Sequence, residues 1–281
     1  MMSAIGTAFR SFIGEPYMLT DQEYQAAADA LIRAEIEGVP TEPISLIYPN
    51  ADIADAYRIS QLVTEEKITN GREVKGQKIG FTSKAMREMI GATEPDYGNI
   101  FDNWFVDEGS LIPVSRLNRP KVEIELTFVL HTDLTGPSVN TVDVIRATDF
   151  ILPSIEIVDN RYSKRGSNSL VDSIADAAGC GLVILAGNPI RLTDIDIRKI
   201  GGSLSKNGEV EVSGMASAVM GNPINAIAWL ARKLHEFGVT LRAGEAILSG
   251  SFTRAIEVNV GDSFVADFGE LGAMTFGVVE G

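Results

Sequence analysis

The sequence is poor in the residues that most often carry soft-metal or redox chemistry: one cysteine and two histidines in 281 residues. A single cysteine, Cys180, excludes a disulfide framework within the chain and any Cys-based zinc site. It lies in "DAAGCGLVILAG", a small-residue segment running into an apolar strand, and reads as a buried, inert thiol. The histidines, His131 and His235, are far from ligand spacing. His131 reads as a strand-end residue and His235 as a helix residue, and neither as catalytic. Positive charge is also scarce, with 24 Lys and Arg against 38 Asp and Glu and a formal net charge of −14. No basic run or patch is present, which excludes nucleic acid as a partner because phosphate backbones would be repelled. An anionic small substrate is not excluded, provided a metal or a local Lys or Arg reverses the field at the site. Long apolar runs are missing: no stretch reaches the roughly 18 residues of a membrane span. The N-terminal "MMSAIGTAFRSFIGEPYMLT" has no charged segment leading into a continuous apolar core, so it does not read as a signal peptide. The expected location is therefore the cytoplasm. No G-x-G-x-x-G opens a helix, so no dinucleotide is implied.

What remains is an ordinary globular composition, 45% hydrophobic and 22% charged, with length for one large domain or two small ones. Residues 21–37, "DQEYQAAADALIRAEIE", are Ala-rich and predict a helix with Asp21 as N-cap. Residues 51–70 place Ile53, Ala56, Tyr57, Ile59, Leu62 and Val63 at helical spacing, with Gly71 as a stop. From "KGQKIGFTS" onward, short apolar runs alternate with Gly, Pro, Asn and Asp turns and predict strands. Asn-Gly within "KNGE", 206–209, predicts a hairpin. Two later helices are expected, over 141–150 and over 222–238. The second has Asn222 as N-cap, Pro223 in the first turn and Gly238 as stop. The expected class is α+β: a small helical N-terminal part, 1–72, followed by a strand-rich domain, 73–281.

One strand carries an anomaly. In "RPKVEIELTFVL", 119–130, alternation sends Val122, Ile124, Leu126, Phe128 and Leu130 to one face and Lys121, Glu123, Glu125 and Thr127 to the other. A solvated face would explain the pair of glutamates. Glu156, however, stands between Ile155 and Ile157 in a second apolar run, where an ionised carboxylate is costly unless paired or bound to a cation. Oxygen-only donors with no histidine nearby point to a hard cation, Mg²⁺ or Mn²⁺. Lys78 lies in a short Gly-bounded strand, and Asp96 in a turn-like "EPDYG". A lysine held near a carboxylate and a metal serves as a proton carrier or an anion clamp; a surface lysine and a turn aspartate are the alternative. Ser251 and Thr253 in "GSFTR" either donate to a substrate carboxylate or satisfy themselves in a Gly-hinged turn.

The order "KIGFTS", "EPDYG", "PKVEIEL", "SIEIVD", "GSFT" and "GDSFVADFGELG" resembles the fumarylacetoacetate hydrolase superfamily. Within it the chain is most similar to the hydratases and decarboxylases of meta-cleavage aromatic degradation. The resemblance runs from about residue 50 to the C-terminus and implies a fumarylacetoacetase-like mixed β-roll. It places divalent-metal ligation on Glu123, Glu125 and Glu156, the last of these 33 residues after the first. It also implies proton-handling roles for Lys78 and Asp96, and a site wall that includes Ser251, Thr253 and Asp176. Ala177 departs from the pattern, since many relatives carry Asn after that Asp. The implied substrates are 2-hydroxy-2,4-dienoates and their 2-oxo tautomers, bound through the C1 carboxylate and C2 oxygen at Mg²⁺ or Mn²⁺. Water addition at C4 to give a 4-hydroxy-2-oxo acid is the expected reaction, and decarboxylation of a 2-oxo-3-enedioate at the same site is the alternative. Acylpyruvate hydrolysis ranks lower, because it calls for an N-terminal histidine and His131 is the first in the chain. A catalytically dead scaffold would be suggested by loss of a metal glutamate, and all three are present. A second substrate carboxylate would want Arg161, Lys164, Arg165 or Arg254. A homo-oligomer is expected, as is usual in the superfamily.

Overall fold

The computed structural model describes residues 19–163 and 169–281. Most of the N-terminal stretch weighed above against a signal peptide lies outside the described residues, as do Lys164 and Arg165.

Helix α1 (Asp21–Glu37) begins one residue earlier than the composition suggested. Thr20, in extended backbone, is the N-cap: its hydroxyl accepts from Glu23 N at 3.3 Å, and the Glu23 carboxylate accepts from Thr20 N at 2.8 Å. Asp21 instead sits in the first turn, where a negative charge meets the positive end of the helix dipole. After the short α2 (Ile44–Ile47), α3 (Ile53–Thr69) opens with a second reciprocal cap between Asp52 and Asp55. Tyr24, Ala27, Ala28 and Leu31 of α1 and Ala56, Tyr57 and Ile59 of α3 share a core with Tyr162, Ile174 and Ala175 from later in the chain.

The strands follow: β1 (Val74–Gly80), β2 (Asp96–Phe101), β3 (Phe105–Val106), β4 (Leu111–Pro113), β5 (Lys121–Leu130), β6 (Thr148–Val158), β7 (Cys180–Leu185), β8 (Gly201–Lys206), β9 (Glu209–Met215), β10 (Ala246–Leu248), β11 (Ile256–Glu257), β12 (Ser263–Asp267) and β13 (Ala273–Val279). One mixed sheet runs β2-β1-β10-β5-β6-β7-β3, with β11 also paired to β5; a second runs β4-β13-β12-β8-β9. The β8–β9 hairpin turns through Asn207 and Gly208, at φ 53° and 87°, the left-handed pair that a type I′ turn requires.

Helices are distributed through the chain, which corrects the expectation that they would gather mainly in a small N-terminal part. Besides α5 (Thr141–Ala147) and α7 (Pro223–Glu236), α4 (Lys84–Ile90) and α6 (Leu170–Ala175) interrupt the strands. Ser83 caps α4 by accepting from Met86 N, and Gly91 ends it at φ 70°. Helix α5 stops at Ala147, short of residue 150, because "TDFILPS" is rich in strand formers and Thr148 enters β6. Asn222 caps α7 and Pro223 occupies its first turn, as the sequence indicated.

Strand β5 explains its own composition. Val122, Ile124, Leu126, Phe128 and Leu130 all enter the main core, with Ile155 and Ile157 of β6 beside them. The opposite face is not wet: Thr127 and Glu125 are buried there too. A two-sided, buried strand bearing carboxylates therefore lies at the centre of the sheet.

Candidate metal centre and active site

Antiparallel pairing of β5 with β6 sets Glu123 directly opposite Glu156, and Glu125 opposite Ser154. Paired residues point to the same side of a sheet, so this register turns a sequence separation into a cluster. Carboxylate oxygens of Glu123, Glu125 and Glu156 all lie within 4.8 Å of one another. Glu125 is 1% and Glu156 0% exposed, whereas Glu123 keeps some contact with solvent. Gly250 N donates to Glu125 Oε2 at 2.8 Å. Lys78 Nζ approaches Glu156 Oε1 to 3.2 Å, forming an ion pair without hydrogen-bond geometry. Neither oxygen of Glu156 accepts a well-aligned hydrogen bond, although the group is fully buried.

The electrostatics follow from this crowding. Burial, reinforced by Glu156, pushes Glu123 up to about 7, and burial and Glu156 push Glu125 well above the carboxylate range. Burial also raises Glu156, with Lys78 opposing it. For Lys78, burial works against the charge, but Glu156, Asp96 and Glu125 outweigh it and hold the ammonium protonated. Three ionised glutamates and one lysine leave two negative charges, which one divalent cation neutralises. Oxygens spaced within 4.8 Å of one another are near enough to be shared by one small cation, and Glu123, Glu125 and Glu156 would be the residues to hold it. The residues present fit a hard divalent cation.

Lys78 and Asp96 are brought to the same face. Lys78 pairs with Gly98, and Gly80 with Asp96, across β1 and β2. A Cβ on Gly80 would fall 2.1 Å from Asp96 Oδ1 and 3.5 Å from Lys78 Nζ, so the glycine leaves the space these two side chains occupy. Asp96 opens β2 and is not in a turn, and it is 0% exposed, which corrects the surface reading. Ser173 Oγ donates to Asp96 Oδ2 at 2.7 Å, Oδ1 has no hydrogen-bond partner, and burial lifts the carboxyl above its usual range. Lys78 Nζ donates to the Ala178 carbonyl at 2.9 Å.

No protein-family model matches the chain. Over 263 residues the chain is 39% identical to 2-oxo-hept-4-ene-1,7-dioate hydratase of Escherichia coli, spanning 92% of this chain and 98% of that enzyme. The chain belongs to the hydratase and decarboxylase branch of the fumarylacetoacetate hydrolase superfamily. It is also 33% identical, over 257 residues, to 4-oxalocrotonate decarboxylase of Pseudomonas putida, covering 92% of this chain and 97% of the relative. The solved 4-oxalocrotonate decarboxylase of Pseudomonas putida G7, complexed with magnesium and adipate, superposes with a TM-score of 0.91. It has 31% identity over 94% of this chain and 100% of that one. That decarboxylase was solved with magnesium, and the all-oxygen carboxylate cluster of this chain has the donor chemistry that a hard divalent cation takes.

The remaining candidates of this superfamily member separate into two groups. The segment after β10 runs beside β5: Ser249 N donates to Leu126 O, and Ser251 Oγ reaches Ile124 O at 3.4 Å. Ser251 Oγ is occupied within its own turn, accepting from Thr253 N at 3.2 Å and lying 3.0 Å from Thr253 O. Thr253 Oγ1 and Ser249 Oγ, in contrast, are buried without a hydrogen-bond partner. Sequence reasoning missed Ser249, although its place two residues before Ser251 in "LSGSFT" was a signal. It also missed Ser173 and the Ala178 carbonyl, for which the sequence offers none. Asp176 turns its carboxylate to Arg161, accepting from Arg161 N at 2.8 Å, and burial raises it to about 7 against the opposing pull of Arg161. Arg254 is exposed and pairs with Glu211. Cys180 is fully buried, which together with the neighbouring Glu156 keeps its thiol protonated. Among the described residues, no helix is long and apolar enough to cross a membrane.

Proposed function

We propose that Glu123, Glu125 and Glu156 hold the divalent cation and that Lys78 and Asp96 handle protons on a 2-oxo-enoic acid, in a metal-dependent hydratase or decarboxylase. The observation that carries this reading is the buried cluster of three carboxylates with Lys78 against it. When bound, the cation supplies a Lewis acid to the oxygens of the substrate's 2-oxo acid end. Gly250 N fixes the Glu125 carboxylate in place. Lys78 has three protons to donate: one goes to Ala178 O and one faces Glu156. The third is available to stabilise negative charge spreading along the conjugated chain, or to be delivered to carbon. Asp96, whose carboxyl burial raises above its usual range, is the group placed to take and return a proton. Thr253 Oγ1 and Ser249 Oγ, having no protein partner, are donors for a substrate carboxylate or a water. Burial of the face keeps bulk water from competing for these groups.

Two end reactions fit these residues. Loss of CO₂ from a 2-oxo-3-enedioate needs an electron sink and a proton donor but no base; the superposition on a decarboxylase supports it. Addition of water at C4, giving a 4-hydroxy-2-oxo acid, needs a group to orient and deprotonate the water. The identity to 2-oxo-hept-4-ene-1,7-dioate hydratase supports that reading. Product analysis decides between them, using 2-hydroxy-2,4-dienoates and a 2-oxo-3-enedioate with Mg²⁺ or with EDTA. CO₂ release without hydration selects the decarboxylase, and a 4-hydroxy-2-oxo acid from the dienoates selects the hydratase. Either activity is expected to vanish in EDTA and in Glu125→Gln. Turnover of neither substrate by the Mg²⁺-loaded protein overturns the proposal.

A further inference from the structure

We infer that Arg161 is a positioning residue for Lys78, acting through the left-handed turn at Ala177–Gly179. The inference rests on the proposed role of Lys78. Ala177, Ala178 and Gly179 have φ of 50°, 53° and 70° in succession. Alanine enters this region only where its surroundings impose it.

Arg161 is that constraint. Its Nη1 lies 3.3 Å from Asp176 Oδ1, immediately before the turn, and donates to Cys180 O at 2.8 Å, immediately after it. Its backbone N donates to the other Asp176 oxygen. One guanidinium therefore ties together the two flanks of the turn, a geometry suited to its rigid fork of donors. The guanidinium is itself fixed, with the Trp104 ring centroid 5.0 Å away and Glu35 Oε2 3.5 Å away. Beneath the turn, Gly98 provides the floor: a Cβ there would fall 2.0 Å from Ala177 O. The product of this arrangement is the Ala178 carbonyl, which accepts from Lys78 Nζ at 2.9 Å and so directs the ammonium at Glu156. Arg161 is 7% exposed, its Nη1 is committed to Cys180 O and Asp176, and its Nη2 faces Glu35, which argues against its binding a substrate tail. It lines a cavity of about 640 Å³ together with Lys67, Trp104 and Asp159, and that lining includes none of Glu123, Glu125, Glu156 or Lys78.

The test compares Arg161→Met, Arg161→Lys and Lys78→Met with the wild-type full chain. It reads kcat, KM, Mg²⁺ affinity by calorimetry, and Tm. Because a displacement of about 1 Å can cost on the order of 100-fold in rate, Arg161→Met is expected to lose about 10–100-fold in kcat. Its Mg²⁺ affinity is expected to stay within about twofold, since the ligand carboxylates are untouched. Arg161→Lys reaches one flank of the turn but not both, and is expected to lose less. In a fourth variant, Arg161→Ala, guanidinium ion supplied through the cavity is expected to restore part of kcat where methylammonium does not, and equal rescue by both would overturn the role of the guanidinium fork. Lys78→Met at wild-type kcat would instead refute the role of Lys78 on which the inference rests. With Lys78→Met inactive, wild-type kcat in both Arg161→Met and Arg161→Lys overturns the inference. So does a loss of kcat matched by an equal loss of Mg²⁺ affinity, which would mark a general loosening of the fold.

Discussion

Replacing a glutamate of the buried carboxylate cluster should make the metal-free protein more stable. Glu123 is raised from 4.5 to about 7 because burial and Glu156 disfavour its charge more than Lys78 and Lys121 favour it. Between those two values the folded state retains a proton that the unfolded state releases. Stability therefore falls as pH rises from about 4.5 to about 7, and the full cost is present above that. The rise corresponds to about 3–4 kcal/mol at most, at 1.36 kcal/mol per pH unit; the solvent contact of Glu123 reduces this to about 1–3 kcal/mol. Glu123→Gln keeps the shape and removes the titration. In EDTA at pH 7.5 its Tm should exceed that of wild type by about 3–10 °C, taking roughly 2–4 °C per kcal/mol for a chain of this size. At pH 4.5 the two should melt together. Addition of Mg²⁺ should then raise the wild-type Tm and leave the variant nearly unmoved, because stabilisation by a ligand requires its site. Thermal melts in EDTA and in Mg²⁺ at the two pH values check all of this. A variant that melts below wild type in EDTA at pH 7.5, or that retains the full Mg²⁺ shift, would refute the reasoning.

Other consequences follow from the same structure. Gly98→Ala drives a Cβ to 2.0 Å from Ala177 O, so the backbone of the turn must shift, and it is expected to cost about 1–3 kcal/mol in chemical denaturation and to reduce kcat by displacing the Ala178 carbonyl. Burial depresses Lys67 to about 8 despite its pairing with Glu35. The unfolded state thus holds a proton that the folded state lacks between about 8 and 10.5, and stability should rise with pH across that window by at most about 1.4 kcal/mol per unit. Lys67→Met, which keeps the packing against Phe101 and Trp104, should flatten that slope in urea titrations. Thr253→Val removes a buried, unpartnered hydroxyl and should raise KM by about 5–30-fold, a loss of about 1–2 kcal/mol, with Mg²⁺ affinity unchanged.

Local features were readable from the sequence because their causes are local. Asn222-Pro223 fixes the start of α7, Asn207-Gly208 fixes a hairpin, and the alternation through 122–130 fixes which side chains of β5 enter the core. The pairing of Glu123 with Glu156 is different, since the register that unites them belongs to two strands. Nothing in either segment dictates it, and it became legible only through the ordered motifs of the superfamily. The shift of Asp96 from turn to strand has the same origin, because pairing with Gly80 determines it.

The turn at Ala177 offers a backbone reading of a motif position as well as a side-chain one. An alanine in place of the usual Asn suggests a missing polar contact to substrate. At φ 50°, however, the position asks for a residue that tolerates the left-handed region, and Asn does so better than Ala. The backbone thus supplies a reason for Asn that needs no substrate. Around Ala177, Arg161 bridges both flanks of the turn and Gly98 leaves room beneath it. The functional output of the turn is the Ala178 carbonyl, a backbone atom that any residue at that position would supply. On the positioning role inferred for this turn, substitution at position 177 acts first on how firmly Lys78 is held.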